Sequence, residues 1–402
     1  MASFRGIVGV SVPQSSLSAP DQQHGSVRNT PPAKPNLPSF TRILDIFLKH
    51  VDQDETGPKK FLTNSMAFHE FAFSPQRPII GSGHHFVVYA SPFADDEKSL
   101  LTAREISKEV YCIKGPNLIH GTSDRGPGAF KEEYYHTVLQ ELRILFHPNL
   151  SKHDNIINIL GFDFYEDYDD YTIAWPVLLM EYAEYGTLDT LQQDVDISLQ
   201  PELARWLLLD IALGIQALHR CNIVHGDVKS ENVLICRHSQ RAYVARLSDF
   251  GLSVINPDPS IGNNHRLPGG TWLWAAPEWK ERLDVDGLRM TDVYSFGLTA
   301  WRVLVNYPNP WTMLDGRQLG LQGVHDVNDL AARAKARDGL ADVVLWTMKS
   351  EVLARGYSRV VIESTLCKDP AGRDLERAIS ALALGQKTFW NELVISHSSQ
   401  SL

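Results

Sequence analysis

Three polar side chains of complementary chemistry lie within six positions of one another in the segment HGDVKSENVL. They are Asp227, Lys229 and Asn232. Their close, irregular spacing does not put them on one face of a helix or strand, but a loop lets them converge on one point. An acid can receive a hydroxyl proton, a cation can steady a moving phosphoryl group, and an amide can help to hold Mg²⁺. The cluster therefore predicts phosphoryl transfer, and the alternative is an ordinary solvated loop.

Two further motifs follow the cluster. The triplet Asp249-Phe250-Gly251 begins seventeen residues after Asn232, behind the strand-like AYVARLS, and Ala276-Pro277-Glu278 comes next within GTWLWAAPEW. An aspartate at a strand end can present its carboxylate to Mg²⁺. In this order the segments resemble the signature set of the eukaryotic protein kinase family. The resemblance extends over roughly residues 78 to 375 and implies ATP and Mg²⁺ as cofactors and a protein as substrate.

The resemblance implies a role for each polar residue. Asp227 orients the substrate hydroxyl and accepts its proton, Lys229 neutralises charge on the moving group, and Asn232 and Asp249 hold Mg²⁺. Lys229 together with Gly270-Thr271 resembles the serine/threonine class rather than the tyrosine class.

The loop over the ATP phosphates is expected in IIGSGHHFVV, with Gly81, Gly83 and Val88 in register with the family. Glycines let the backbone approach phosphate oxygens. Phe86 stands where the family has its third glycine.

The segment VYCIK resembles the family strand that ends in the nucleotide-binding lysine, here Lys114. Its partner glutamate is expected on the next helix. Glu141 fits because it precedes LRIL and has the apolar Leu145 one turn on, and Glu133 is the alternative.

The segment PVLLMEYA resembles the strand that leads into the hinge between the lobes. Met180 is expected at the back of the adenine pocket, with the Glu181 carbonyl and the Ala183 amide on the adenine edge. Leu234, after the catalytic loop, completes the predicted nucleotide-binding set.

Two C-terminal matches have structural rather than catalytic roles in the family. Asp292 begins a D-x-x-S-x-G helix motif and is expected to accept backbone N–H bonds from the catalytic loop. Arg373 is expected to pair with Glu278.

Gly226 occupies the place where most of the family has arginine. That arginine commonly pairs with a phosphate added to the activation segment, and glycine offers no such partner. We therefore expect that phosphorylation of the hydroxyls within residues 252–271, namely Ser253, Ser260 and Thr271, is not the main switch.

The predicted fold class is α+β, a two-lobed protein-kinase fold with a small strand-rich N-lobe at residues 66–182 and a larger helical C-lobe at 183–390. Residues 1–40 are rich in Pro and Ser, which predicts a disordered tail. Residues 41–65 are a helical extension whose apolar face at 41–52 is expected to dock on a domain or a partner, and 391–402 form a C-terminal tail.

The composition narrows the class of protein. A formal net charge of −10 over 402 residues argues against a nucleic-acid partner. No apolar run is long enough to predict a membrane span. The four cysteines form no C-x-x-C pair, which predicts reduced thiols in a cytoplasmic protein.

Three functions are weighed. An active protein serine/threonine kinase is favoured because Lys114, Asp227, Asn232 and Asp249 are all present. The alternative is a weak or inactive pseudokinase that acts as an ATP-binding scaffold. A small-molecule kinase of related fold fits less well, because the A-P-E and G-T segments are typical of kinases that act on proteins.

Overall fold

The computed structural model of the 402-residue chain describes residues 78–83, 85–92, 110–117, 127–166, 174–193, 199–314, 320 and 323–384. The predicted tails at 1–40 and 391–402 and the predicted extension at 41–65 lie outside the described residues. None of the described helices is both long and apolar enough to cross a membrane.

The first half is built on an antiparallel five-stranded sheet in the order β1-β2-β3-β5-β4. Val88 on β2 lies opposite Lys114 on β3, and Cys112 on β3 lies opposite Met180 on β5, so the central strand joins the phosphate loop to the hinge strand. The strands are β1 (Ile79–Ser82), β2 (Phe86–Pro92), β3 (Val110–Pro116), β4 (Ile159–Glu166) and β5 (Ala174–Glu181).

Helix α1 (Pro127–Leu145) is the one helix among the described residues of this half, and its apolar positions repeat at helical spacing. Tyr134, Val138, Leu142 and Leu145 are at most 1% exposed, so one face of the helix is buried in the core. Glu141 lies beside this apolar stripe and is itself 1% exposed. A carboxylate so deeply buried needs a partner.

The second half is helical, as the sequence predicts. Its longest helices, α3 and α4, pack on each other through long runs of buried apolar residues. The helices are α2 (Leu188–Gln193), α3 (Pro201–Arg220), α4 (Val285–Val305), α5 (Val327–Lys335), α6 (Leu340–Trp346), α7 (Ser350–Leu353) and α8 (Tyr357–Thr365), with a further helical stretch at 375–384.

The sequence predicts helices at residues 291–306 and 340–354, and the structure gives both different bounds. The helix expected at 291–306 begins earlier, at Val285, because the Asp284 carboxylate caps it by accepting from Gly287 N at 2.7 Å. The helix expected at 340–354 is two helices, α6 and α7. The break comes where Lys349 adopts an extended backbone conformation between them.

Short strands frame the loops that carry the polar cluster. Strand β6 (Ile223–Val224) pairs with β9 (Val254–Ile255), and β7 (Val233–Arg237) pairs with β8 (Tyr243–Leu247). Residues 225–232 connect β6 to β7, and residues 248–253 connect β8 to β9. The two pairings therefore hold the loop of Asp227 and the loop of Asp249 side by side.

Candidate active site

Helix α4 anchors the loop that contains Asp227. The Asp292 carboxylate, 1% exposed, accepts from His225 N at 2.8 Å and from Gly226 N at 2.9 Å. His225 is fully buried, and its Nε2 lies 3.1 Å from the Ser248 carbonyl. The loop is thus fixed at its backbone, as expected for Asp292.

The Asp227 carboxylate is held by three groups. Its Oδ1 accepts from Thr271 N at 2.8 Å, and its Oδ2 accepts from Lys229 Nζ at 2.6 Å and from Asn232 Nδ2 at 3.1 Å. Lys229 Nζ also donates to Thr271 Oγ1 at 2.6 Å. The cluster that the sequence predicts is therefore assembled in space, and Thr271 of the following segment belongs to it.

A second cluster forms around Lys114 on β3. Its Nζ lies 2.5 Å from Glu141 Oε1 and 3.2 Å from Asp249 Oδ1. Of the two glutamates that the sequence left open, Glu141 faces the lysine. Glu133 lies with its Oε2 3.3 Å from His85 Nε2.

The ionisation of this cluster follows from burial and charge. Burial lowers the pKa of Lys114, but the carboxylates of Asp249 and Glu141 together outweigh it and leave the pKa raised. Burial raises the pKa of Glu141 against the opposing effect of Lys114. Lys114 lowers the pKa of Asp249, whose side chain is 48% exposed and has a left-handed backbone at φ 61°. Asp249 is therefore an ionised and accessible carboxylate.

Phe86 lies directly against the lysine. Its ring centroid is 4.1 Å from Lys114 Nζ and 5.2 Å from the ring of Tyr134 on α1. A cation over an aromatic face is attracted by the ring quadrupole. The sequence showed only a missing glycine here, whereas the structure shows a buried aromatic contact to the predicted nucleotide-binding residue.

Two hydrogen bonds fix the backbone of the glycine-rich loop at Gly83. Gly83 N donates to the Phe86 carbonyl at 2.8 Å, and Asn117 Nδ2 donates to the Gly83 carbonyl at 2.7 Å. A side chain at Gly83 would meet no atom within 4 Å, so the space beside this backbone is open. Asn117 was missed by the sequence reasoning, because a lone polar residue after a strand carries no signal.

The hinge residues lie between the two halves. Met180 and Ala183 are each 8% exposed, and Leu234 on β7 is half-buried. The Glu181 side chain, to which the sequence assigned no role, accepts from Asn158 N at 2.9 Å and from Arg246 of β8. Glu181 therefore ties the end of β5 to the second half of the molecule.

The donor set at Asn232 and Asp249 could hold a divalent ion. Asn232 Nδ2 donates to the Asp227 carbonyl at 2.8 Å, so the amide oxygen is directed elsewhere. Amide and carboxylate oxygens suit Mg²⁺, which is commonly bound by few protein groups together with substrate phosphates. Within the described ranges, no group of three or more His, Cys, Asp or Glu side chains could hold a metal on its own.

The late ion pair joins the end of the A-P-E segment to the C-terminal region. Arg373 Nη1 and Nη2 lie 2.5 Å and 3.0 Å from the two Glu278 oxygens, and both side chains are buried. This bidentate pairing confirms the sequence prediction.

Together, the strand-rich and helical halves and the Asp227 and Lys114 clusters define a two-lobed phosphotransferase fold. The family model for the protein kinase domain matches residues 125–374, more than half of the chain. The chain therefore belongs to the protein kinase family. The glycine-rich loop and Lys114 precede the matched residues, and the structure joins them to the domain through the five-stranded sheet.

Several curated proteins are similar over part of their length. A probable serine/threonine-protein kinase, drkC, of Dictyostelium discoideum is 30% identical over 178 residues, which are 43% of this chain and 21% of that protein. Receptor-interacting serine/threonine-protein kinase 3 of Rattus norvegicus is 35% identical over 159 residues, 38% of this chain and 31% of that protein. Activin receptor type-1-like of Rattus norvegicus is 32% identical over 176 residues, 40% of this chain and 32% of that protein. The chain thus spans between about a fifth and a third of these relatives.

Proposed function

We propose that the chain is an active kinase that transfers the γ-phosphoryl group of ATP to serine or threonine hydroxyls of proteins. The observation that carries this proposal is the preorganised Asp227 carboxylate, which three donors hold in one orientation. Preorganised groups lower a barrier because they need no rearrangement during the reaction. A scaffold that only binds nucleotide has no need of an oriented base.

We propose the following roles, which the positions of the residues support. Asp227 orients the attacking hydroxyl and takes its proton, while Lys229, 2.6 Å away, offsets the charge of the moving group. Lys114, held by Glu141, binds the nucleotide phosphates, and Gly81, Gly83 and Val88 cover them. The Glu181 carbonyl and the Ala183 amide take the adenine edge, with Leu234 in the same pocket. Asn232 and Asp249 hold Mg²⁺, which neutralises phosphate charge when bound.

The preference for serine and threonine rests on Thr271. Its hydroxyl accepts from Lys229 and its amide donates to Asp227, which fixes the following segment beside the base. Two of the relatives above are named serine/threonine-protein kinases, which supports the same class.

All four cysteines are unbridged, which supports the proposal of a reducing, cytoplasmic location.

The test compares Asp227→Asn with the parent protein and with Asp338→Asn, a control at a side chain that is 93% exposed. Each is incubated with Mg·ATP and a basic protein substrate, and the phosphorylated amino acids are identified. We expect phosphoserine and phosphothreonine from the parent and the control, and a fall of about 10² or more in the turnover of Asp227→Asn. Nucleotide binding without transfer by the parent would instead establish the pseudokinase alternative.

A further inference from the structure

A lysine lies buried beneath the segment that follows the predicted base. Lys335, at the end of α5, is 2% exposed. Among the described residues no carboxylate lies within ion-pair distance of it, and burial lowers its pKa to about 7. Taking an ammonium group out of water without an opposite charge is costly, and methionine would fill similar space without that cost.

The lysine head binds the backbone of residues 271–276, which we call the substrate segment. Lys335 Nζ donates to the Trp272 carbonyl at 2.7 Å and to the Ala275 carbonyl at 2.8 Å. The same nitrogen lies 4.9 Å from the Trp272 ring centroid and 5.4 Å from that of Trp311. Two carbonyls and two aromatic faces thus replace the water that the ammonium group has lost.

A second side chain completes this attachment. Trp311, fully buried, donates from Nε1 to the Leu273 carbonyl at 3.2 Å. The carbonyls of Trp272, Leu273 and Ala275 are therefore bound by side chains from outside the substrate segment. Without these donors the three buried or half-buried acceptors would have to find new partners.

The substrate segment leads directly to the base. Thr271, one residue before Trp272, donates its amide to Asp227 and accepts from Lys229. Trp272 and Leu273 follow Thr271 directly along the chain, and both are half-buried and partly open to solvent. We therefore expect the shape of the substrate segment to affect how a protein substrate lies, while Lys114, the predicted nucleotide-binding lysine, is on the other lobe.

We propose that Lys335 is a positioning residue for protein substrate, which holds the substrate segment in its binding shape through the Trp272 and Ala275 carbonyls. The role of Lys335 in substrate binding rests on the proposed kinase function. Its stabilisation of the substrate segment does not depend on that function. The described contacts of Lys335 are to Trp272, Ala275 and Trp311 and to none of the predicted nucleotide-binding residues. Its removal is therefore expected to act on the binding of protein substrate and to leave ATP binding intact.

The experiment compares Lys335→Met with the parent and with the control Lys349→Met, which changes an exposed lysine. Steady-state kinetics give KM for the protein substrate and for ATP separately. We expect Lys335→Met to raise KM for the protein substrate at least about tenfold, or about 1.4 kcal/mol, and to change KM for ATP less than about twofold. The reason is that the substrate segment loses its hydrogen bonds at the Trp272 and Ala275 carbonyls. Lys335→Arg, which keeps a charged donor, is expected to recover part of the loss.

Hydrogen exchange provides a readout that does not depend on catalysis. Lys335→Met is expected to speed amide exchange in residues 271–276 while exchange in the core of α4 is unchanged. If the parent protein transfers no phosphate, the proposed function is wrong. Faster amide exchange in Lys335→Met would still show that Lys335 stabilises the substrate segment. Unchanged exchange, or equal losses for ATP and protein substrate, would overturn the inference.

Discussion

At Gly226 the backbone adopts φ 81°, a left-handed conformation that other residues reach only at a cost. A Cβ at this position would lie 2.6 Å from the Leu252 carbonyl oxygen, closer than any normal contact. The neighbouring bond from Gly226 N to Asp292 fixes the peptide, so the residue cannot turn away. Arginine, expected here in most of the family, would require Leu252 to move.

Gly226→Ala is therefore expected to destabilise the fold more than the same change at a glycine with open surroundings. Gly262 provides that control, because it has φ 57° and no atom within 4 Å of its Cβ position. We expect Gly262→Ala to cost about 1–2 kcal/mol from backbone strain alone. Gly226→Ala should cost at least about 1 kcal/mol more by denaturant unfolding, because overpacking adds its own cost. Equal losses would show that the loop yields to the added carbon.

The element that follows the substrate segment is secured by one buried pair. Glu278 ends the A-P-E triplet, and Arg373 precedes the helical stretch at 375–384. Arg373 also donates to the carbonyls of Met290, Cys367 and Lys368, and its guanidinium lies 4.7 Å from the Tyr294 ring centroid. The pair thus connects the residues just after the substrate segment with α4 and with the region after α8.

Removing one partner of this pair leaves the other charge buried and unpaired. We expect Arg373→Met to lower the free energy of unfolding by about 3–5 kcal/mol. Arg359→Met is the control, because Arg359 pairs with Glu363 on the surface of α8, where both side chains are at least 36% exposed. That change should cost less than about 1 kcal/mol. If urea unfolding gave the two variants similar losses in the free energy of unfolding, burial would not explain the contribution of the Glu278–Arg373 pair.

For the whole molecule, the regulation of the activation segment depends on which hydroxyls can be reached. Ser253 is fully buried and donates to the His225 carbonyl at 2.9 Å, and Thr271 is bound by Lys229. Of the three hydroxyl residues at 252–271, only Ser260 is exposed. These features agree with a glycine, rather than a phosphate-binding arginine, at position 226.

Phosphatase treatment of the purified protein is therefore expected to leave at least about half of its kinase activity, since no phosphate–arginine pair orders the segment. Ser260→Ala should behave like the parent before and after treatment. Mass spectrometry of the treated protein must show that residues 252–271 carry no phosphate. If phosphatase treatment removed nearly all kinase activity, and rephosphorylation within residues 252–271 restored it, the prediction would be wrong.

The family and the α+β fold class could be predicted from the sequence alone, and the candidate site residues were proposed from it. Asp227, Lys229 and Asn232 lie so close along the chain that a short loop brings them together, and Asp249-Phe250-Gly251 and Ala276-Pro277-Glu278 are local motifs that need no long-range information. The helical boundaries were less well predicted, because caps such as Asp284 depend on single bonds.

Which distant residues meet could not be predicted from the sequence, because it depends on how the elements pack. Lys114 and Asp249 are 135 positions apart, and the packing of α1 chose Glu141 over Glu133 as the glutamate beside Lys114. Nothing in the pattern of α5 indicates that Lys335 is buried, since a lysine near a helix end is ordinarily solvated. Sequence spacing sets which face a residue occupies, whereas the position of that face among the other elements is set by the packing of the whole core.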